Sequence, residues 1–412
     1  MDSKTLDIIL FGATSFVGQI ATHYLFQHIG PNQDIKWAIA GRSKIRLQTL
    51  KASLGKTAQD LPIIVADCTD ANSLKAMCKQ SRVILSTVGP YALYGEPLIK
   101  ACVQNGNDYC DLSGEAYWIK LMLDKYQSTA EKSGARIVNC CGFDSIPSDL
   151  GVHFLQQMAR QKSGDCCNQV KLRVKSIRGG VSGGTIASAI EMLQAAEKHP
   201  EVRRAMGNPY LLCPEHYIHT HRQPRIKGPV YDRDFNSWSA AFVMEAINTR
   251  VVLRSHLLQS TMHNSPFTYG EGILTGRGIK GYLRACGVTL GLASFAIGLK
   301  IKPLRQLMQT FWLAKPGQGP SQQQQLNGFF DMRIIGKKDQ YQTCIKVVGD
   351  RDPGYGCTAK MLIQAGLCMA FDIGKSDLQG GFWTPATAMG NRLIKRLTQS
   401  AGMLFEKVDS QD

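Results

Sequence analysis

The sequence predicts an α/β protein: a Rossmann-type parallel sheet domain followed by a second α+β domain containing a largely antiparallel sheet. Three observations carry this. A strand, a glycine turn and a helix open the chain. Apolar runs then alternate with helical stretches up to about residue 150. Beyond that point the pattern changes to period-two alternation and a hairpin.

The opening run Leu6–Phe11 has the length and composition of a buried parallel strand. Gly12-Ala13-Thr14-Ser15-Phe16-Val17-Gly18 follows, and Val17, Ile20, Ala21, Tyr24 and Leu25 then repeat at helical spacing. In such a turn Gly12 permits the tight bend and Gly18 lets helix and strand pack closely. The first N–H groups of the helix then face a pyrophosphate, where the helix dipole favours negative charge. Ser15 stands where a third glycine is usual, and its small hydroxyl can still approach a phosphate.

The second strand, 35–40, ends in Gly41-Arg42-Ser43. An NAD site places a carboxylate about 20 residues past the glycine turn; here Arg42 and Ser43 stand instead, a pairing suited to a 2′-phosphate. NADP(H) is therefore the expected cofactor. A third strand, 61–66, ends at Asp67, within reach of the adenine. A fourth, 82–88, carries Thr87 and runs into Gly89-Pro90. Strands near 107–112 and 136–141 follow, with helices near 43–54, 70–80 and 116–133 between them. Right-handed crossovers put every ligand-facing residue at the carboxyl ends of these strands.

With 412 residues, 44% hydrophobic and 19% charged, the chain has core enough for two domains. Its net charge of +16 attracts anions: a phosphorylated cofactor, an acidic carrier or a membrane surface. No basic recognition helix or aromatic RNA-binding signature accompanies it, so nucleic acid is not an expected partner. Thirteen cysteines lack CxxC spacing, a count and pattern suited to a reducing, cytoplasmic compartment. The N-terminus runs straight into the first strand, which leaves no room for a targeting segment.

Val170–Lys175 alternates with period two, as a half-exposed strand does, and 329–335 with 341–348 reads as a hairpin joined by Gly336–Asp339. Lys315–Ser321 reads as a loop or hinge. Cys213, His216, His219 and His221 crowd together, but their spacing fits no zinc pattern and no metal is expected. Residues 285–299 form an uncharged apolar run, too short to cross a bilayer by itself. Arg277, Lys280, Arg284, Lys300, Lys302 and Arg305 flank it, an arrangement suited to an anionic membrane interface or to a buried core or homodimer helix.

The chain resembles the saccharopine dehydrogenase-like oxidoreductases, in the branch of the trans-acting enoyl reductases. The motifs that carry the resemblance are Gly12–Gly18, Ala40–Ser43, Thr87–Tyr91 with Tyr94-Gly95, Tyr109–Glu115, Gly142–Asp149, Asp352–Tyr355, Thr358–Leu362 and Gly380–Ala386. The resemblance implies NADP(H) binding in 1–150, a substrate or dimerisation domain in 151–380 with a membrane-interface segment at 282–305, and a C-terminal helix in 381–412 that returns to the first domain. Thr384-Pro385 suits the start of that helix.

Saccharopine would need placed arginines for its carboxylates, and none can be matched. A carrier-bound or membrane-held acyl chain, an enoyl or related lipid, glycolipid or polyketide precursor, fits the basic surface better. Tyr91 and Tyr94 are candidates to donate a proton or hold a thioester oxygen. Ser113, Glu115, Asp144 and Ser145 are candidates for the substrate side, and Asp149 can complement a helix N-terminus. Reduction of a small imine or amino-acid adduct stays open, as does a non-catalytic, cofactor-binding membrane partner.

Overall fold

The computed structural model describes residues 4–30, 35–179, 183–215, 217, 221–259, 266–311 and 319–408. The first sheet has seven parallel strands: β1 (Leu6–Phe11), β2 (Trp37–Gly41), β3 (Ile63–Val65), β4 (Ser81–Ser86), β5 (Asp108–Asp111), β6 (Arg136–Val138) and, from the far end of the chain, β13 (Gly381–Trp383). Their order is β13-β6-β5-β4-β1-β2-β3. Helices α1 (Phe16–Ile29), α2 (Lys44–Ser53), α3 (Ala71–Gln80), α4 (Tyr91–Asn105) and α5 (Ala116–Ser133) make the crossovers. β1 is apolar without alternation because both its faces are covered: Ile8, Ile9 and Leu10 are fully buried. Short polar side chains start the helices. Ser15 Oγ accepts from Gly18 N at 3.0 Å, Ser43 Oγ from Arg46 N at 3.4 Å, and Asp70 Oδ1 from Asn72 N at 3.0 Å.

The second sheet is built from β7 (Gln169–Arg178), β8 (Val230–Asp232), β9 (Ser237–Ala240), β10 (Thr268–Gly276), β11 (Phe329–Lys338), β12 (Tyr341–Gly349) and β14 (Met403–Val408), in the order β14-β12-β11-β7-β10-β9-β8. Only β7 and β10 run parallel; the other pairs are antiparallel. The hairpin pairs through Lys338 and Tyr341, so its turn is only Asp339-Gln340, with Asp339 at φ +51°. Gly336–Lys338, expected in the connection, extend the strand instead. β7 is also less exposed than its alternation suggests. Its Arg173 is buried and holds Asp232 through Nε at 2.9 Å and a second guanidinium nitrogen at 2.7 Å.

Helix α6 (Ile146–Ser163) leads from the first sheet into the second and packs on β11 and β12. α7 (Gly183–Lys198), α8 (Pro200–Gly207), α9 (Glu245–Gln259), α10 (Gly278–Lys300), α11 (Lys302–Phe311) and α12 (Gln322–Leu326) surround the second sheet. α13 (Thr358–Leu367) lies between π-helical turns at 353–357 and 368–372, and packs on α1, β4 and β5. The return to the first sheet therefore begins inside the 151–380 stretch, before any C-terminal helix.

That last stretch is more than one helix. β13 extends the first sheet. Thr384 then caps only a four-residue helix, α14 (Pro385–Ala388), and α15 (Gly390–Ser400) starts anew at Gly390, φ +45°. β14 closes the second sheet. Tyr24 Oη donates to Ser400 O at 2.7 Å, which ties α15 to α1. The chain's end is stitched into both sheets because neither edge is complete without it.

One buried ion pair fastens this return. Arg136 on β6, 2% exposed, meets Asp108 on β5 at 2.9 and 2.5 Å and donates to the carbonyls of Met369, Ile373 and Gly374. Lys375 Nζ also meets Asp108 at 2.6 Å, so it is the loss of Asp108 that strands a charge, the buried Arg136 guanidinium. Asp108→Ala is expected to lower unfolding stability by about 3–5 kcal/mol, read from the denaturant midpoint, whereas Arg82→Ala at the exposed pair with Asp7 costs less than about 1 kcal/mol.

Candidate functional site

The carboxyl edge of the first sheet holds the residues that the sequence singles out. Gly12 has φ +84°, and a Cβ there would stand 2.7 Å from both Thr87 Oγ1 and Val88. A Cβ on Gly18 would meet Gly12 O at 2.2 Å, so helix and turn touch backbone to backbone. The N–H groups of Phe16 and Val17, in the first turn of α1, have no carbonyl partner within the helix. This cradle fits a pyrophosphate. The Ser15 hydroxyl does not face it: Oγ is held by Gly18 N and by Thr87 Oγ1 at 2.9 Å, and Thr87 Oγ1 in turn donates to Gly12 O at 2.8 Å. Ser15 caps α1 instead of meeting a phosphate. The Phe16 ring turns away as well, edge-on to Tyr355 at 4.7 Å and against Gly319. Of the expected hinge, 315–318 lie outside the described residues.

Arg42 stands exposed just past β2 and makes no hydrogen bond or ion pair among the described residues. Ser43 beside it caps α2. Asp67, at the end of the adjacent β3, accepts from the N–H and Oγ1 of Thr69, each at 2.9 Å; those bonds, with Arg42 nearby, hold its carboxyl below the usual range. The 2′ side of a dinucleotide would thus meet a fixed acid and a free guanidinium.

Towards the middle of the sheet one carboxylate organises the loops. Asp111, fully buried at the end of β5, accepts from Ser113 N (3.0 Å), Ser113 Oγ (2.7 Å) and Cys140 N (3.1 Å) through Oδ1. Through Oδ2 it accepts from Tyr109 Oη (3.1 Å) and Asn139 Nδ2 (2.8 Å). Ser113, expected on the substrate side, is consumed in that network. Glu115 is also internal. Its Oε1 and Oε2 accept from Tyr91 N at 2.9 Å and Ala92 N at 2.8 Å, capping α4, and Ser188 Oγ on α7 donates to Oε1 at 2.7 Å. The carboxylate compensates a helix N-terminus that would otherwise be buried unpaired.

Tyr91 cannot serve as the proton donor in this arrangement. Its ring is buried, its hydroxyl donates to Ser86 O and accepts from Leu112 N, both at 3.0 Å, and burial pushes its pKa far above the ordinary phenol value. It pins β4 to β5 beneath Gly89-Pro90. Tyr94, one turn along α4, is 43% exposed, and its hydroxyl has no partner among the described residues. Ser145 is fully buried and donates to Asn248 Oδ1 at 3.1 Å. Asn248 Nδ2 reaches Glu271 Oε2 at 3.0 Å, and Tyr269 Oη meets Glu271 Oε1 at 2.5 Å. Asp149 accepts from Ser255 Oγ at 2.5 Å and Ala386 N at 2.8 Å, so it caps α14 rather than its own helix.

Asp144 alone among the four substrate-side candidates keeps a free functional group. Half-buried in the loop after β6, it lies close to Gly114; a Cβ on that glycine would be 3.4 Å from Asp144 Oδ1. Its carboxyl meets only its own N–H among the described residues. Burial first, and then the neighbouring Asp111 and Glu115, push it up to about 7. A carboxyl that is partly protonated at neutral pH, at the ligand-binding edge of the sheet, can donate a proton.

The sequence reading left Asp111 without a role, although a carboxylate at a strand's carboxyl end was itself a signal. Ser188, Asn248 and Glu271 carry no local signal, since only the packing of α7, α9 and β10 brings them here. Elsewhere, His216 and His219 lie outside the described residues, and Cys213 is buried with its thiol pushed up to about 12. All thirteen cysteines are free thiols.

Residues 8–138 match the family model described as the saccharopine dehydrogenase NADP binding domain. The chain is 34% identical over 418 residues to the trans-acting enoyl reductase of Mycobacterium leprae, covering 98% of each. It is 36% identical over 408 residues to that of Mycobacterium tuberculosis, covering 96% of each. Among solved structures, apo saccharopine dehydrogenase of Saccharomyces cerevisiae aligns with a TM-score of 0.53 at 12% identity, over 98% of this chain and 100% of that one, a likeness of fold. With its dinucleotide cradle and these relatives, the chain belongs to the saccharopine dehydrogenase-like family of NADP(H)-dependent oxidoreductases, in the group of the trans-acting enoyl reductases.

Proposed function

We propose that this enzyme reduces the double bond of an enoyl thioester in a lipid or polyketide precursor, with Asp144 as the proton donor. The observation that carries this reading is the Asp144 carboxyl group at the carboxyl edge of the first sheet, unengaged by other side chains among the described residues and set beside carboxylates whose hydrogen bonds are already made. When bound, NADPH supplies the hydride to the β-carbon. The protein's part is to hold the cofactor and to protonate the α-carbon. Gly12, Gly18 and the N–H groups of Phe16 and Val17 hold the pyrophosphate, while Thr14, Thr87, Gly89 and Pro90 border the cradle. Arg42 and Ser43 receive the 2′-phosphate, and Asp67 borders the adenosine. Asp144 gives up its proton from a position where burial keeps it an acid. The relatives' names favour an enoyl substrate over an imine.

A second reading concerns where the enzyme works. α10 runs for 23 residues, longer than its uncharged stretch, and only 17% of its most apolar window is buried. It is not a core helix of this chain. Leu283, Leu290 and Ile297 are 61%, 66% and 56% exposed, and Leu304 and Leu307 of α11 extend the apolar surface. Arg277, Lys280, Arg284, Lys300, Lys302 and Arg305 surround it. Apolar side chains ringed by cations fit the interface of an anionic bilayer.

Three measurements test these readings. Titration with NADPH and NADH should show Arg42→Ala weakening NADPH by roughly ten- to a hundredfold, the ~1.5–3 kcal/mol of a charged hydrogen bond, and sparing NADH. Equal weakening of both would give Arg42 another role. In wild type, kcat/KM on an enoyl thioester should fall as pH rises through about 7, because deprotonation removes the acid. Asp144→Asn should lose that limb and roughly 10²–10⁴-fold in rate, with NADPH affinity retained; an unchanged profile in Asp144→Asn, with loss instead in Tyr94→Phe, moves the role to Tyr94. Leu290→Asp/Phe295→Asp should abolish co-flotation with anionic vesicles while leaving the fold intact. Undiminished flotation would remove the membrane reading.

A further inference from the structure

A cavity of about 630 Å³ lies where the end of β10 meets the start of α10, away from the dinucleotide cradle. Three cations line it: Lys175 from β7, Arg277 from the turn and Arg284 from the second turn of α10. No carboxylate does among the described residues. Its rim is fixed by hydrogen bonds, and of its cations Arg284 takes part in none of them. Ser237 Oγ accepts from Gly276 N at 3.1 Å, Thr275 Oγ1 donates to Gly281 O at 2.9 Å, and Arg277 Nε donates to Asn236 O at 3.1 Å. The Trp238 and Tyr282 rings, 4.8 Å apart, brace the same corner.

Arg284 is the telling residue. It makes no hydrogen bond or ion pair among the described residues, and its guanidinium lies 3.9 Å from where a Cβ on Gly276 would stand. Like charges gathered in one concavity repel one another unless an anion joins them. The remaining wall is apolar, with Ile273, Leu274 and Val288, and it continues towards the exposed Leu283 and Leu290 of α10. A ligand suited to both walls carries a phosphoryl group at one end and hydrocarbon at the other.

We infer that this cavity is a binding site for a phosphoryl group, and that its ligand is the head group of an anionic phospholipid whose chains lie along α10. The site rests on the membrane reading for the source of its ligand only; the phosphoryl chemistry stands on the cavity itself. It turns a general attraction into a specific one, since α10 seats where a head group can be clasped by Arg277 and Arg284 together.

The test uses the full chain in four forms: wild type, Arg277→Gln/Arg284→Ala, Arg284→Ala alone, and Lys79→Ala/Lys132→Ala, which removes two exposed cations from α3 and α5 as a charge-matched control. Flotation on vesicles containing phosphatidic acid should fall by about tenfold or more in the double cavity variant, and by much less in the control. With saturating NADPH filling the dinucleotide cradle, inorganic phosphate, against potassium chloride of equal ionic strength, should raise the melting temperature of wild type and displace it from the vesicles, with neither effect in the cavity variants. Arg284→Ala breaks no internal bond, so its loss of the phosphate response cannot come from unfolding. Equal losses of flotation in cavity and control variants, or a phosphate response that survives in the cavity variants, would overturn the site. Failure of wild type to float at all, with its cavity-dependent phosphate response intact, would overturn the lipid source and the membrane reading together and leave a soluble phosphate ester as the ligand.

Discussion

The carboxylate of Asp111 is the interaction on which the working edge of this enzyme depends. Five donors converge on it from β5, the loop after β5 and the loop after β6. A buried carboxylate pulled out of water carries a large desolvation cost, and these donors offset part of it, leaving the Asp111 carboxyl raised, by burial first. In doing so they hold the loops after β5 and β6 together. The Ser113–Glu115 segment is set so that Glu115 caps α4, Tyr91 is locked against Leu112, and the Cys140 turn, φ +60°, aims the chain towards Asp144. The same charge raises Asp144. One buried carboxylate thus both organises the loops and helps to raise its neighbour Asp144.

The second sheet contributes by contact rather than by chemistry at the edge. Ser188 of α7 reaches Glu115, and Asn248 of α9 joins Ser145 to Glu271 on β10. α7 also packs against α10 and α11, where Ile190 and Leu299 are buried together. The helix that touches the active-site cap therefore touches the apolar helix pair as well.

The glycine turn, the succession of parallel strands and the change of pattern near residue 150 were all legible, because each is a local consequence of backbone conformation and period. Gly12 and Gly18 are required by distances of 2–3 Å to their own neighbours in sequence or to the next strand. Arg42 is expected at a 2′-phosphate from its distance past the turn, and it stands exposed with no hydrogen-bond or ion-pair partner among the described residues. Tyr91, Ser113, Glu115 and Ser145 were read as facing a ligand, since polar residues at strand ends commonly do. The structure spends them on capping, pinning and bridging. Which way a strand-end side chain turns is decided by the partners behind it; for Tyr91, Glu115 and Ser145 those come from segments 21 to 103 residues away, whereas Ser113 is held by Asp111 two residues before it.

The sequence by itself determined the fold class, the phosphate-binding turn and the preference for a 2′-phosphate, since those follow from steric limits and charge within a short stretch of chain. Tertiary structure alone decided which carboxyl stays unengaged among the described residues, that β13 and β14 extend both sheets, and that Arg277 and Arg284 line one cavity at the start of α10. Packing, not composition, raises the Asp144 carboxyl and leaves α10 exposed, and packing is a property of the assembled fold.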